Sequence, residues 1–350
     1  MANLRRIDVT IDDSNVEPGM LEVMKIVRPD WKPEDIKFKI FTDGISNKIV
    51  GCYLGEDKQT MVLFRVYGKK TELLVDRQKE IETFQTLFKV GCGPELYAAF
   101  NNGLAYEYVP GVILSTTSVK DEKVYKLITR EMARLHAVKP EDGKIPEASV
   151  FRTIKKWLDT LPTQFEDAAK QEKYSKQVAT HEKLRNEAAM LERELSKLDS
   201  PVVFCHNDIL LANVIYDESK SKVCFIDYEY ASYNYQAFDI GNHFDEMAGL
   251  DTVDYNLYPD KAFQLKWLRE YLIGWHEVTN NKEPVTDKDV EILYAKANKF
   301  ALAGHFFWGV WGLIQAHISV IDFDYLEYAI IRLNEYFNKK DEFLAIPLPQ

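Results

Sequence analysis

From residue 202 the chain reads Val-Val-Phe-Cys-His-Asn-Asp-Ile-Leu-Leu-Ala-Asn, and Phe225-Ile226-Asp227-Tyr228-Glu229 comes soon after. Short apolar runs at residues 202–205, 214–216 and 223–226 frame these polar residues, and runs of that kind bounded by polar turns are the pattern of strands. Three strands joined by a loop and a hairpin would gather Asp208, Asn213 and Asp227 at the mouth of one small sheet. Oxygen groups so gathered suit phosphoryl transfer. One carboxylate orients an attacking hydroxyl and takes its proton, while other oxygens hold Mg²⁺ against the phosphates. Asp208 is the candidate base, and Asn213 and Asp227 are the candidate metal ligands.

The step of five from Asp208 to Asn213 is that of the protein-kinase catalytic loop, H-R-D-L-x-x-x-N, and Asp227 takes the place of the D-F-G aspartate. Two departures stand out: Asn207 replaces the usual Arg, and Ile-Asp-Tyr-Glu replaces Asp-Phe-Gly. A single Asp or Asn in a loop is ordinarily a turn or cap residue. An apolar strand before the loop, with a strand and an aspartate after it, is what sets this segment apart.

The elements that must position these groups form two regions. Residues 36–42 alternate in polarity, 48–54 and 61–66 are rich in β-branched and aromatic residues, and Asn101-Asn102-Gly103 is a hairpin turn between 96–100 and 104–109. Asp76 opens a helix with Ile81, Phe84, Leu87 and Phe88 on one face. Residues 21–110 thus read as an N-lobe, a mostly antiparallel sheet with one helix, after a loosely held tail over 1–20. Arg65, in a central strand, is placed to contact phosphate, with Glu80 on the following helix as its partner. The Asp43-Gly44-Ile45-Ser46-Asn47 turn could cover the phosphates through backbone N–H groups, Ser46 and Asn47. Glu107 and Val109 end the sheet where backbone groups could pair with an adenine edge.

Residues 111–350 read as a larger, mostly helical C-lobe. The charged stretch 166–198 is expected to be an exposed helix or helix pair. The apolar stretch 300–318 approaches the length of a membrane span. It contains His305, Gln315 and His317, and its tryptophans lie mid-stretch, so a buried core helix is expected. The formal net charge is -11 over 350 residues, which argues against nucleic-acid or anionic-membrane partners. Four scattered cysteines without a C-x-x-C pair, and no apolar leader, fit a soluble cytoplasmic protein. A homodimer is allowed for.

These residues resemble the choline/ethanolamine kinase family, from about residue 36 to 338. The likeness is carried by Phe41-Thr42-Asp43-Gly44-Ile45-Ser46-Asn47, by Arg65-Val66-Tyr67-Gly68, by Cys205-His206-Asn207-Asp208 with Asn213, and by Asp227 through Phe238-Asp239-Ile240-Gly241-Asn242-His243-Phe244. It implies an α+β, bilobal protein-kinase-like fold and an ATP- and Mg²⁺-dependent transfer to a small amino alcohol. It also implies Asp208 as base, Asn213 and Asp227 on magnesium, and Arg65 on phosphate. Trp308 and Trp311 look like the family's amine-pocket tryptophans, Tyr328 matches its pocket tyrosine, and Asp239 and Glu246 are carboxylates expected beside the ammonium. Asp251 falls where choline kinases carry a caging tyrosine. A primary ammonium has N–H donors for carboxylates, whereas a quaternary one needs rings. The resemblance therefore implies ethanolamine, phosphorylated to phosphoethanolamine in the first step of the CDP-ethanolamine route to phosphatidylethanolamine. A choline or dual-specificity kinase, an aminoglycoside-type kinase and a pseudokinase binding module are the alternatives.

Overall fold

The computed structural model describes residues 4–41, 47–68, 71, 74–140, 143–250 and 252–349. The chain divides into two compact units, the first running to Val112 and taking in Asp217–Lys220 and Ser319–Phe323.

The first unit contains β1 (Arg5–Ile7), α1 (Val16–Val27), β2 (Ile36–Phe41), β3 (Asn47–Leu54), β4 (Asp57–Tyr67), α2 (Arg77–Lys89), β5 (Leu96–Phe100) and β6 (Gly103–Glu107). They form one sheet in the order β1-β5-β6-β4-β3-β2, antiparallel except for the parallel pair β1 and β5. Val50, Cys52, Val62, Phe64 and Val66 on the central strands are buried with Met20, Val23 and Met24 of α1. Asp76 caps α2, accepting from the backbone N–H groups of Gln78 and Lys79, which answers two of the donors a helix start leaves unpaired.

The loose tail expected over residues 1–20 is not what residues 4–20 form. Arg5–Ile7 adds an edge strand, α1 begins at Val16, and Ile7, Ile11, Val16 and Met20 are buried in the sheet core. Those four apolar residues are too irregularly spaced to show a period, and only the sheet edge they meet gives them a place.

After the two-residue β7 (Val112–Ile113) the second unit is mostly helical. Its elements are α3 (Glu122–His136), α4 (Val150–Asp159), α5 (Ala168–Gln177), α6 (His181–Leu195), β8 (Val202–Cys205), β9 (Val214–Asp217), β10 (Lys222–Phe225), β11 (Ser232–Tyr235), α7 (Gln236–Glu246), α8 (Lys261–Thr279), α9 (Asp287–Ile318) and α10 (Tyr325–Ala345). The charged stretch is the helix pair α5 and α6, and α6 buries Leu184, Ala188, Leu191 and Leu195 along one face. The apolar stretch lies in α9, buried from Phe300 to Gln315 and packed against α7 and α10. No helix among the described residues is long and apolar enough to cross a membrane. Where α7 meets α9, a Cβ at Gly241 would fall 2.5 Å from the Ala297 carbonyl oxygen. Only glycine lets the two helices approach so closely.

Candidate active site

The loop after β8 is held from one side by α7. Asp239 accepts from the backbone N–H groups of His206 (2.9 Å) and Asn207 (2.7 Å). Asn242 donates to the Asn207 carbonyl at 3.3 Å, and His243 Nδ1 donates to the Ile209 carbonyl at 3.0 Å. Positions 239, 242 and 243 recur at i, i+3 and i+4, so they share one helix face. Asn207 has φ 68°, a left-handed conformation that Asn tolerates better than most residues. Its amide donates to the Tyr230 carbonyl and the Ser232 hydroxyl and accepts from Asn234. The residue that departs from the usual Arg thus ties the loop to β11.

Asp208 and Asn213 meet in this loop. Asn213 Nδ2 donates to the Asp208 backbone oxygen at 2.9 Å and to its Oδ2 at 3.2 Å. Asp227 follows β10 at φ 66°, a backbone strain of the kind held at functional sites. Burial pushes the Asp208 carboxyl well above the usual range, and the neighbouring Asp227, Glu246 and Glu229 carboxylates add to it. Crowded carboxylates beside an amide oxygen suit a hard divalent cation. With Nδ2 turned to Asp208, Asn213 has its Oδ1 to offer, and Asp227 supplies the charge.

Asp239 is expected from the resemblance to face the amine, but the structure gives it other work. It is fully buried, and besides the two loop N–H groups it accepts from His136 Nε2 at 3.0 Å. Burial alone would raise its carboxyl, but His136 and His206 together hold it below the usual range. His136, Cys205 and Asp239 bring ligand atoms within 4.8 Å of one another. Asp239 is already committed to the loop, however, and burial keeps the Cys205 thiol protonated, so this is a hydrogen-bonded core cluster rather than a metal site.

The aromatic wall lies on α9 and α10. Trp308 and Trp311 are 5.5 Å apart at 79°, and Trp311 is 5.7 Å from Tyr325 and 6.1 Å from Tyr328. Trp308 Nε1 donates to Asn242 Oδ1 and Trp311 Nε1 to the Tyr230 hydroxyl. Their N–H groups are thereby satisfied, and both rings are buried among other aromatic rings. Glu246, next on the same face of α7, has its Oε1 2.7 Å from Arg332 Nη1, so one of its oxygens is engaged before any ammonium arrives. Tyr230, Tyr325, Asn242 and Arg332 are the members sequence reasoning missed. Tyr230 and Asn242 lay in the run that carries the resemblance, but no role was read for either, and Tyr325 and Arg332 carried no signal.

In the first unit, buried Arg65 donates to Glu80 Oε1 at 2.7 Å, and Arg77 donates to Glu80 Oε2 at 3.0 Å. Asn47 is buried at the start of β3, while Ser46 and Asp251 lie outside the described residues. Glu107, at the end of β6, donates its N–H to the Glu95 carbonyl. Val109 is half-buried just beyond β6.

A sequence model of the Choline/ethanolamine kinase family matches residues 38–337. The chain belongs to the choline/ethanolamine kinase family. Its relatives include human ethanolamine kinase 1, 44% identical over 99% of this chain and 77% of that one. Mouse ethanolamine kinase 2 is 46% identical over 98% and 86% of the two chains. Among solved structures, an ethanolamine kinase of Plasmodium vivax superposes with a TM-score of 0.80 at 26% identity, covering 93% of this chain and 89% of that one. The fold is accordingly that of the protein-kinase-like small-molecule phosphotransferases, a sheet N-lobe and a helical C-lobe.

The helix α7 that holds the loop also sets an acid limit on stability. Burial lowers His243 from 6.5 to about 4. In the unfolded chain the same ring takes a proton near 6.5, so its contribution is complete above pH 6.5 and is lost as the pH falls toward 4. The loss is on the order of 3 kcal/mol at pH 4. Urea midpoints at pH 7 and pH 4.5 should therefore differ more for the wild type than for His243→Asn. Equal shifts in the two proteins would mean that His243 does not set this limit.

Proposed function

We propose that this chain transfers the γ-phosphate of ATP to the hydroxyl of ethanolamine, giving phosphoethanolamine and ADP, with Mg²⁺ bound by Asn213 and Asp227. The observation that carries the reading is the approach of Asn213 to both the backbone and the side chain of Asp208 in a loop held by α7. Asp208 orients the attacking hydroxyl and accepts its proton. Mg²⁺ supplies charge neutralisation of the phosphates. Arg65, held by Glu80, contacts phosphate, and Ser46, Asn47, Glu107 and Val109 serve the nucleotide. Catalysis of this kind rests on positioning and charge rather than on covalent chemistry.

The acceptor is read from the second unit and from the names of the relatives. Trp308, Trp311 and Tyr328 offer ring faces to an ammonium, Tyr230 and Tyr325 extend that wall, and Glu246 offers its second carboxylate oxygen to an N–H. The breadth of the aromatic wall also supports a second reading, in which choline is accepted as well, because rings serve a quaternary ammonium.

In a ³¹P NMR time course with Mg²⁺-ATP and ethanolamine, a phosphomonoester resonance should grow as ADP appears, and EDTA should stop both. ADP without the ester would overturn the assigned acceptor. Trp311→Ala should raise the KM for ethanolamine by about two- to thirtyfold, in line with the ~0.5–2 kcal/mol of a cation–π contact, and leave the KM for ATP nearly unchanged. Equal changes in both would make Trp311 a packing residue only.

A further inference from the structure

A cavity of about 500 Å³ opens in the first unit, bounded by the start of β1, the end of α1, the end of α2 and the start of β5. That volume is in the range of small-molecule sites, roughly 300–1,000 Å³. None of the residues assigned to the kinase reaction lines it.

Its lining is unlike the rest of this acidic chain. Arg5, Arg28 and Lys89 face it against a single carboxylate, Glu95, in a protein whose net charge is -11. Two of the cations are braced. The Arg28 guanidinium lies 4.3 Å over the Tyr97 ring and donates to the Val27 carbonyl at 3.2 Å, and Arg5 donates to the Ile26 carbonyl at 2.5 Å. A guanidinium has five N–H donors, so these bonds fix each group and leave donors for an anion at little further ordering cost. The remaining lining is mostly apolar, with Val27, Leu96 and the Phe88 ring beside the polar Gln85. Phe88 is 47% exposed, and Ile26 and Val90, next in the chain to the lining residues Val27 and Lys89, are also exposed.

We propose that this cavity binds an anionic amphiphile. Its phosphate or carboxylate head is held among Arg5, Arg28 and Lys89, and its apolar body lies against Val27, Phe88 and Leu96. Cations alone would suit inorganic phosphate, and apolar surface alone would suit a neutral ligand. Both together select a molecule with both ends.

The test is calorimetric titration of the full chain with dihexanoylphosphatidic acid below its micelle concentration. Dihexanoylphosphatidylcholine, inorganic phosphate and bilayer vesicles containing phosphatidic acid are the comparison arms. The site requires saturable 1:1 binding of monomeric dihexanoylphosphatidic acid, at least tenfold tighter than the phosphatidylcholine or phosphate. Lys89→Gln and Phe88→Ser, both at exposed positions, should each weaken that binding at least fivefold with kinase turnover unchanged. The proposal is overturned by no saturable binding, by equal binding of inorganic phosphate, by binding to vesicles alone, or by variants that bind as the wild type does. Because binding is read directly, none of these outcomes depends on the assigned acceptor.

Discussion

Asp208→Asn should lower kcat for phosphoryl transfer by about 10²–10⁴, the usual worth of a positioned general base, with ATP binding largely intact. The substitution is nearly isosteric, and the Asn213 bond to the residue 208 backbone oxygen does not depend on the side chain. The loop should keep its shape while losing its proton acceptor. Burial and the carboxylates around it push Asp208 upward, and a base works only when ionised. The acid limb of kcat/KM for the amine should therefore lie above the ordinary carboxylate value of about 4, and Asp208→Asn should abolish it. Turnover within a few-fold of the wild type would remove Asp208 from the role of base.

Asp239→Asn should be nearly as damaging by a different route. The carboxylate accepts from two loop N–H groups and from His136. An amide in its place keeps one acceptor and turns an NH₂ toward a donor. A buried group deprived of its partner costs about 1–3 kcal/mol, so the midpoint of thermal unfolding should fall measurably. A small displacement of the loop it anchors can cost about 10² in rate. The result expected is a fall in kcat of that order with little change in the KM for ethanolamine. If the KM rose instead while kcat held, Asp239 would be an amine ligand after all.

Much of this site was legible because its signal is local. The Asp208-to-Asn213 spacing and the strands around it lie within a short stretch, and turn and strand patterns act over such distances. The Arg65–Glu80 pair was also within reach, since β4 and the following α2 are consecutive elements. The Asp239-x-x-Asn242-His243 spacing was visible as a run but not as a helix face, so Asp239 was expected at the amine when it holds the loop. Arg332 and Tyr230 were out of reach for another reason. Their partners Glu246 and Trp311 are brought to them only by the packing of α7, α9 and α10, and no local pattern encodes that packing. The first twenty residues failed similarly, because a three-residue edge strand has no period of its own.

The central claim is that the Asp208, Asn213 and Asp227 set serves Mg²⁺-dependent transfer to an amino alcohol, with ethanolamine as the preferred acceptor. Initial rates of ADP release by the purified chain with Mg²⁺-ATP test it most directly, comparing ethanolamine, choline and no acceptor. Rapid release with ethanolamine, slow release with choline and little without acceptor is the predicted result. Release no faster with either amine than without one would contradict it.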